Sequence, residues 1–271
     1  MKQKLEKWII TLVLVVGGFL VSIPFFWMIL SSFKPEREAR SMPPTLWPEN
    51  FTFEHYLNLF QNLNFGTYFT NTLIIVLFSM LGLLFNTMAG YGFAKFHFKG
   101  KEAVFIGVLA TMMIPAQVSM IPVYLILNQM SLTNTMSGII LPGLIAAFNI
   151  FLIRQFMTTI PNDLIESARI DGAREFRIFF QIILPLSKPV LAVQVILTFV
   201  GAWNSFLWPL IVANDQGLYT LSVGLALLQG QNASSFALQM AGATVMVIPV
   251  LILFMFVQKY IVQGFNTTGI K

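Results

Sequence analysis

The 271-residue chain contains no cysteine, which excludes disulfides, thiol catalysis and cysteine-ligated metals. Charge is scarce as well. Asp, Glu, Lys and Arg make up 10% of the residues, against about 25% in ordinary soluble domains. The only two histidines, His55 and His97, lie on either side of a long apolar stretch, so no metal site can be built from both. A Gly-x-x-x-x-Gly-Lys-Ser/Thr phosphate loop is also missing; Lys99-Gly100-Lys101 comes nearest, without the earlier glycine or the following hydroxyl. Asp and Glu show no pairing that would support hydrolytic chemistry, and no nucleophile sits beside a base, so the chain reads as non-catalytic.

Apolar sequence takes the place of these groups. Hydrophobic residues account for 56% of the chain and the mean hydropathy is +0.77. An α-helix needs about 20 apolar residues to cross roughly 30 Å of hydrocarbon. Six stretches qualify, at about 9–31, 70–94, 104–127, 137–153, 189–211 and 237–258. The expected fold is therefore an all-α integral membrane protein, a single transmembrane domain over 1–271. The first run is too long for a signal h-region and lacks a small-residue cleavage site, so it reads as an uncleaved anchor.

Lys and Arg collect in cytoplasmic loops. With the N-terminus inside, Lys2, Lys4, Lys7, Lys95, Lys99, Lys101, Arg154, Arg169, Arg174, Arg177, Lys188, Lys259 and Lys271 fall inside. Only Lys34, Arg37 and Arg40 fall outside, beside Glu36, Glu38, Glu49 and Glu54. Both termini are thus expected in the cytoplasm. The net charge of +5 is mostly topology and needs no nucleic-acid partner.

No Asp, Glu, Lys, Arg or His lies inside any of the six stretches. Proton relays and ion-coupled carriers place such groups there, so an ATP-independent secondary carrier is the weaker alternative. The polar residues within the spans are uncharged and include Asn71, Asn86, Thr87, Gln117, Asn149, Gln194, Asn204, Ser205, Gln239 and Thr244. Pro24, Pro115, Pro122, Pro142, Pro209 and Pro249 imply bent helices that lie against protein or a cavity. Between the first two spans, Phe51, Tyr56, Leu57, Phe60 and Leu63 recur at helical intervals, as in a short amphipathic helix at the outer surface. A packed surface turn fits them equally well.

The loop from 154 to 188 is the longest polar stretch on the inner side. Pro161-Asn162-Asp163 opens a helix, with Asp163 expected as N-cap and Glu166 as the acidic member of a capping box. Leu164, Ile165, Ala168 and Ile170 should form its apolar side, and Gly172 should end it in a turn of positive φ. A second helix is expected from Ala173 to Leu184, ahead of Pro185.

Within this loop, Glu166, Ala168 and Gly172, then Ile182, Leu184 and Pro185 after nine intervening residues, keep a fixed spacing. That spacing resembles the Glu-Ala-Ala signature of bacterial ABC importer permeases, with Ser167 in place of the usual second-position Ala. The resemblance implies a cytoplasmic coupling helix between the fourth and fifth spans, with Glu166, Ser167, Ala168, Asp171, Gly172 and Ala173 docking on an ATPase subunit. Met112-Met113-Ile114-Pro115 with Pro122, Asn134-Thr135, Trp203-Asn204-Ser205-Phe206-Leu207-Trp208-Pro209-Leu210 and Ser32-Phe33-Lys34-Pro35 with Glu38 resemble the carbohydrate-uptake branch, in particular the smaller permease of maltose-type importers.

That family implies an assembly in the bacterial cytoplasmic membrane. Its members are a second, different permease, two copies of a cytoplasmic ATPase that bind ATP and Mg, and an extracellular or periplasmic solute-binding protein. The chain itself would bind no cofactor. Its cargo would be a sugar, first an oligosaccharide, with glycerol phosphate or a related polyol as the alternative. Sugars offer apolar ring faces and hydroxyl edges, which suit aromatic and amide side chains. Asn86, Gln117, Asn149, Trp203, Asn204 and Trp208 are the candidate path residues, although interfacial tryptophans and interhelical polar contacts use the same types.

Overall fold

Long apolar runs leave the backbone no polar partner in a membrane except itself, and helices result. The structure, a computed structural model, describes residues 2–232 and 234–268. Lys271 lies outside the described residues. Every regular element among those described is helical. Five helical stretches are long and apolar enough to cross a membrane: Glu6–Ser32, Phe65–Lys95, Met136–Met157, Lys188–Val212 and Phe236–Lys259.

The expected third span is different. Lys101–Met112 and Ala116–Gln129 form two helices that meet at 102°. Pro115, at the N-cap of the second, has no N–H to continue the ladder, and Met113 and Ile114 bond back to Ala110 and Thr111 in tightened turns. At 1.5 Å per residue the arms are about 18 and 21 Å long, each short of the hydrocarbon thickness.

The fourth stretch is also interrupted. Helix Met136–Ile140, capped by the Thr135 hydroxyl on Gly138 N–H at 3.0 Å, passes through a 3-10 turn at Leu141–Gly143 and resumes at Ala147–Met157. Asn86, on helix Phe65–Lys95, repairs the break. Its amide donates to the Leu144 carbonyl at 3.3 Å and accepts from Ala146 N–H at 3.2 Å. Gly82, one turn earlier, allows the approach: a Cβ there would stand 2.3 Å from the Leu144 oxygen. The fifth stretch divides at Asn204 into Lys188–Trp203 and Leu207–Val212.

The chain forms two compact units, one of residues 1–66 with 224–249, the other of 67–223 with the residues from 250 on. In the first, Glu54–Asn62 is a helix that buries His55 and Leu59 and leaves Leu57 and Phe60 exposed. Lys34, expected on the wet outer loop, is instead almost fully buried. Its ammonium donates to the carbonyl and hydroxyl of Thr45 and lies 5.1 Å from the Trp27 ring centre. Two carboxylates organise the same unit. Glu38 accepts the N–H groups of Glu49 and Asn50, and Glu36 accepts those of Phe236 and Ala237 at 2.7 and 2.9 Å, capping the last span helix.

In the second unit, Leu83, Tyr91, Ile153, Met157, Ile160, Ile165, Ala168, Ile178, Phe179 and Ile183 form one buried apolar cluster. This cluster carries the loop of interest.

Candidate coupling site

Helix Asp163–Ile170 is short and two-faced. At about 100° per residue, Ile165 and Ala168 share one side, and both are buried in the apolar cluster. The expectation that Leu164 and Ile170 join them is corrected. Ile170 falls on the opposite side and is 86% exposed, and Leu164 lies at the edge at 42%. Asp163, Glu166, Ser167, Arg169 and Asp171 are exposed with them. The outward face therefore mixes two aliphatic side chains with charges of both signs.

The helix begins at the residue expected to cap it, and the cap lies one residue earlier. Asn162 is the N-cap residue and Asp163 the first helical one, and neither closes a capping box. The Asn162 side chain is engaged elsewhere, its oxygen accepting from the Lys95 ammonium at 2.8 Å. Its backbone carbonyl accepts from Ile165 and Glu166.

The other end closes as the glycine required. Gly172 has φ +80. Its N–H bonds to the Arg169 carbonyl at 3.0 Å and Ala173 N–H reaches back to Ala168 at 2.9 Å, the paired bonds of a Schellman motif. The chain then runs from Arg174 into Glu175–Ile178, a π-helical turn at Phe179–Ile183 and Leu184–Leu186. The single helix expected over 173–184 thus starts later and is locally underwound. Pro185 cannot donate to the residue 181 carbonyl, and the π turn accommodates that loss.

Salt bridges and hydrogen bonds tie this segment to helix Phe65–Lys95. Arg169 Nε meets Glu175 Oε1 at 2.7 Å, and the Tyr91 hydroxyl donates to Glu175 Oε2 at 3.2 Å. The bond to Glu175 raises the Arg169 pKa above its ordinary value, against the opposing effect of burial. Lys95 also donates to the Ile160 carbonyl. Arg154 donates to the Phe93 carbonyl at 3.4 Å, pairs with Glu102 at 3.5 Å and covers the Phe105 ring at 3.9 Å. Met88, Tyr91, Gly92, Phe96, Glu175, Phe176 and Phe179 line a small apolar cleft of about 260 Å³ beside these bonds.

The candidate path residues are not gathered into one pocket among the described residues. Trp203 is fully buried, stacked on Phe199 at 5.5 Å and edge-on to Phe69 at 5.8 Å, so it offers no free ring face. Asn86 is committed to the break at Leu144, and buried Asn149 donates to Thr198 at 3.3 Å. Trp208 is half-buried and donates to the Gly138 carbonyl at 3.3 Å. Gln117 and Asn204 are exposed. Sequence reasoning missed Tyr91, Lys95 and Asn162, because nothing local to residues 91–95 points to a partner 67 positions away.

Interrupted helices of membrane-crossing length and a short two-faced helix held out on an apolar base are features that suit a transport component. The chain belongs to the binding-protein-dependent transport system inner membrane components, whose family model matches residues 86–267. It is a multi-pass, non-catalytic permease subunit of an ABC transporter.

Among its relatives, the arabinooligosaccharides transport system permease protein AraQ of Halalkalibacterium halodurans is 35% identical over 278 residues, covering 100% of both chains. The Bacillus subtilis melibiose/raffinose/stachyose import permease protein MelC is 33% identical over 267 residues, 97% of this chain and 96% of that one. A chain in the crystal structure of a bacterial ABC transporter involved in the import of the acidic polysaccharide alginate shares the fold, with a TM-score of 0.81 at 23% identity over 96% of this chain and 98% of that chain.

Proposed function

We propose that this chain is the smaller of two different permeases in an ATP-driven oligosaccharide importer, and that the segment Glu166–Gly172 is its contact with the ATPase. One observation carries the second half of the reading. A short helix, pinned by Ile165 and Ala168 and ended by a Schellman turn, projects Leu164, Glu166 and Ile170 into solvent. Ile170, 86% exposed, and Leu164 among charges of both signs give this outward face the mixed apolar and polar character of a docking surface. Asp171, Gly172 and Ala173 shape the turn, and Ser167 keeps the outer face small.

The oligosaccharide assignment rests on relatives named for arabinooligosaccharides, galactooligosaccharides and melibiose, raffinose and stachyose. ATP and Mg belong to the two ATPase subunits, and a solute-binding protein delivers the cargo from outside the cytoplasmic membrane. Within this chain the exposed Gln117 and Asn204 and the half-buried Trp208 are the path residues still able to meet a sugar. Asn86, Asn149 and Trp203 shape the path from behind.

The test is substrate-stimulated ATP hydrolysis by the reconstituted assembly of this chain, the second permease, the ATPase and the binding protein. Stimulation by an arabino- or galacto-oligosaccharide is expected. Stimulation by glycerol phosphate alone would overturn the sugar assignment, and failure to assemble with an ATPase would overturn the coupling reading.

A further inference from the structure

We infer that helix Phe65–Lys95 is the first membrane element to receive the motion of the coupling helix, and that Lys95 and Tyr91 are the positioning residues that join them. The inference rests on the coupling reading above. Helix Asp163–Ile170 is held at both ends by one face of that span helix. At its start, Lys95 grips the Ile160 carbonyl and the Asn162 side chain, and Asn162 is the residue whose own carbonyl anchors the first helical N–H groups. Near its end, Arg169 bonds Glu175, which accepts the Tyr91 hydroxyl. Tyr91 and Lys95 are four residues apart, one helical turn, so both grips lie on the same side.

Two attachments do what one cannot. A single bond leaves the coupling helix free to pivot, whereas bonds at both ends oblige the span helix to follow its tilt as well as its displacement. The surface between the grips is packed: Tyr91, Ile160, Ile165, Ala168 and Phe179 share one cluster, and the Tyr91 ring lies 5.5 Å from that of Phe179. Gly90 lets the span helix approach the segment leading into the loop, where an added Cβ would stand 2.7 Å from Ile153 Cγ2 and 3.2 Å from Arg154 N.

The covalent route to the fifth span is softer. From Gly172 toward the fifth span the chain passes a turn, the π-helical residues Phe179–Ile183 and a further interruption at Ser187 before Lys188 begins the next helix. Underwound and interrupted turns are places where a helix yields. The side-chain route through Lys95 and Tyr91 bypasses all of them.

The experiment uses the complete reconstituted importer. Lys95→Met keeps an apolar stem and removes the charged donor; Tyr91→Phe removes only the hydroxyl. Each is expected to lower the amount of sugar moved per ATP hydrolysed, Lys95→Met by about tenfold given the charge-assisted bonds it loses, while ATP hydrolysis and assembly persist. Lys95→Arg should restore most of the ratio.

A spectroscopic readout separates transmission from mere support. Because the chain has no cysteine, nitroxides placed through Phe85→Cys and Asp163→Cys, both at exposed positions and both outside the proposed ATPase contact, report the distance between span and coupling helix. It should stay constant between the nucleotide-free and ATP-trapped states, and Lys95→Met should make it change. A distance that already changes with Lys95 intact, or a wild-type transport ratio in Lys95→Met, overturns the inference. Ile170→Asp on the outward face isolates the underlying reading: if it uncouples transport and Lys95→Met does not, only the role of Lys95 falls; if Ile170→Asp has no effect, the coupling site itself is misplaced.

Discussion

Glu36 closes the N-terminus of a helix that begins 200 residues later, and its removal has a size that can be worked out. Both carboxylate oxygens are used, one on Phe236 N–H at 2.7 Å and one on Ala237 N–H at 2.9 Å. Glu36→Gln keeps the shape and one acceptor but turns an NH2 group toward the other amide. Hydrogen bonds to a charged group contribute about 1.5–3 kcal/mol each, and a negative charge at a helix N-terminus adds about 0.3–1 kcal/mol. The Glu36 side chain is 34% exposed, so water offsets part of both, and a local loss of about 2 kcal/mol is expected. The exposed Glu36–Arg40 pair, one turn apart, adds only about 0.3–0.5 kcal/mol. Hydrogen exchange of the protein in nanodiscs reads the effect directly: the Phe236 and Ala237 amides should lose protection by roughly 30-fold, since about 1.4 kcal/mol is tenfold. Arg40→Ala should leave them close to wild type. Unchanged exchange of both amides in Glu36→Gln would refute the capping role.

Two further outcomes follow from close contacts and from charge. Gly82→Ala would place a Cβ 2.3 Å from the Leu144 carbonyl oxygen, a backbone atom that also accepts from Asn86; thermal unfolding in detergent should show a loss of about 1–3 kcal/mol. Gly92→Ala, with nothing within 4 Å of its added methyl, should be neutral by the same assay. Burial alone would raise the Glu38 pKa, but the N–H groups of Glu49 and Asn50, the Thr45 hydroxyl and the Lys34 charge outweigh it and hold the carboxyl below its ordinary 4.5. A depressed carboxylate stabilises the fold above its unfolded-state pKa, and that contribution is lost as pH falls through the lower folded value. The Glu49 and Asn50 amides should therefore stay protected at about pH 6 and open as the medium is acidified below 4.5, and Glu38→Gln should remove that pH dependence.

Composition and periodicity revealed the features that are local. Five of the six apolar stretches coincide, within a few residues, with helices long and apolar enough to cross a membrane, because hydropathy counts what a helix needs to cross. Gly172 was legible because only a positive φ explains a glycine between two helical patterns. Direction was not legible: a window over 104–127 records apolar residues and not the 102° turn that Pro115 introduces. Partnership across the fold was hidden too. Asn86 and Trp203 have the side chains of a sugar site, yet one repairs a broken helix and the other fills a core. Asn162 could not be seen to forgo capping without knowing that Lys95 would claim its oxygen.

The bent pair Lys101–Met112 and Ala116–Gln129 also bears on a question of parity. Lys95 and Asn162 touch, so in a bilayer they stand on one face, and the chain between them crosses an even number of times. If helix Met136–Met157 makes one crossing, as its length and composition allow, the bent pair makes the other, despite arms that are each too short to do so alone. If it returned to the side it left, Asn162 would emerge on the far face, out of reach of Lys95, and helix Asp163–Ile170 would face the other side. On the proposed coupling reading, the address of the ATPase contact is written some fifty residues upstream of it, at the break between Met112 and Ala116.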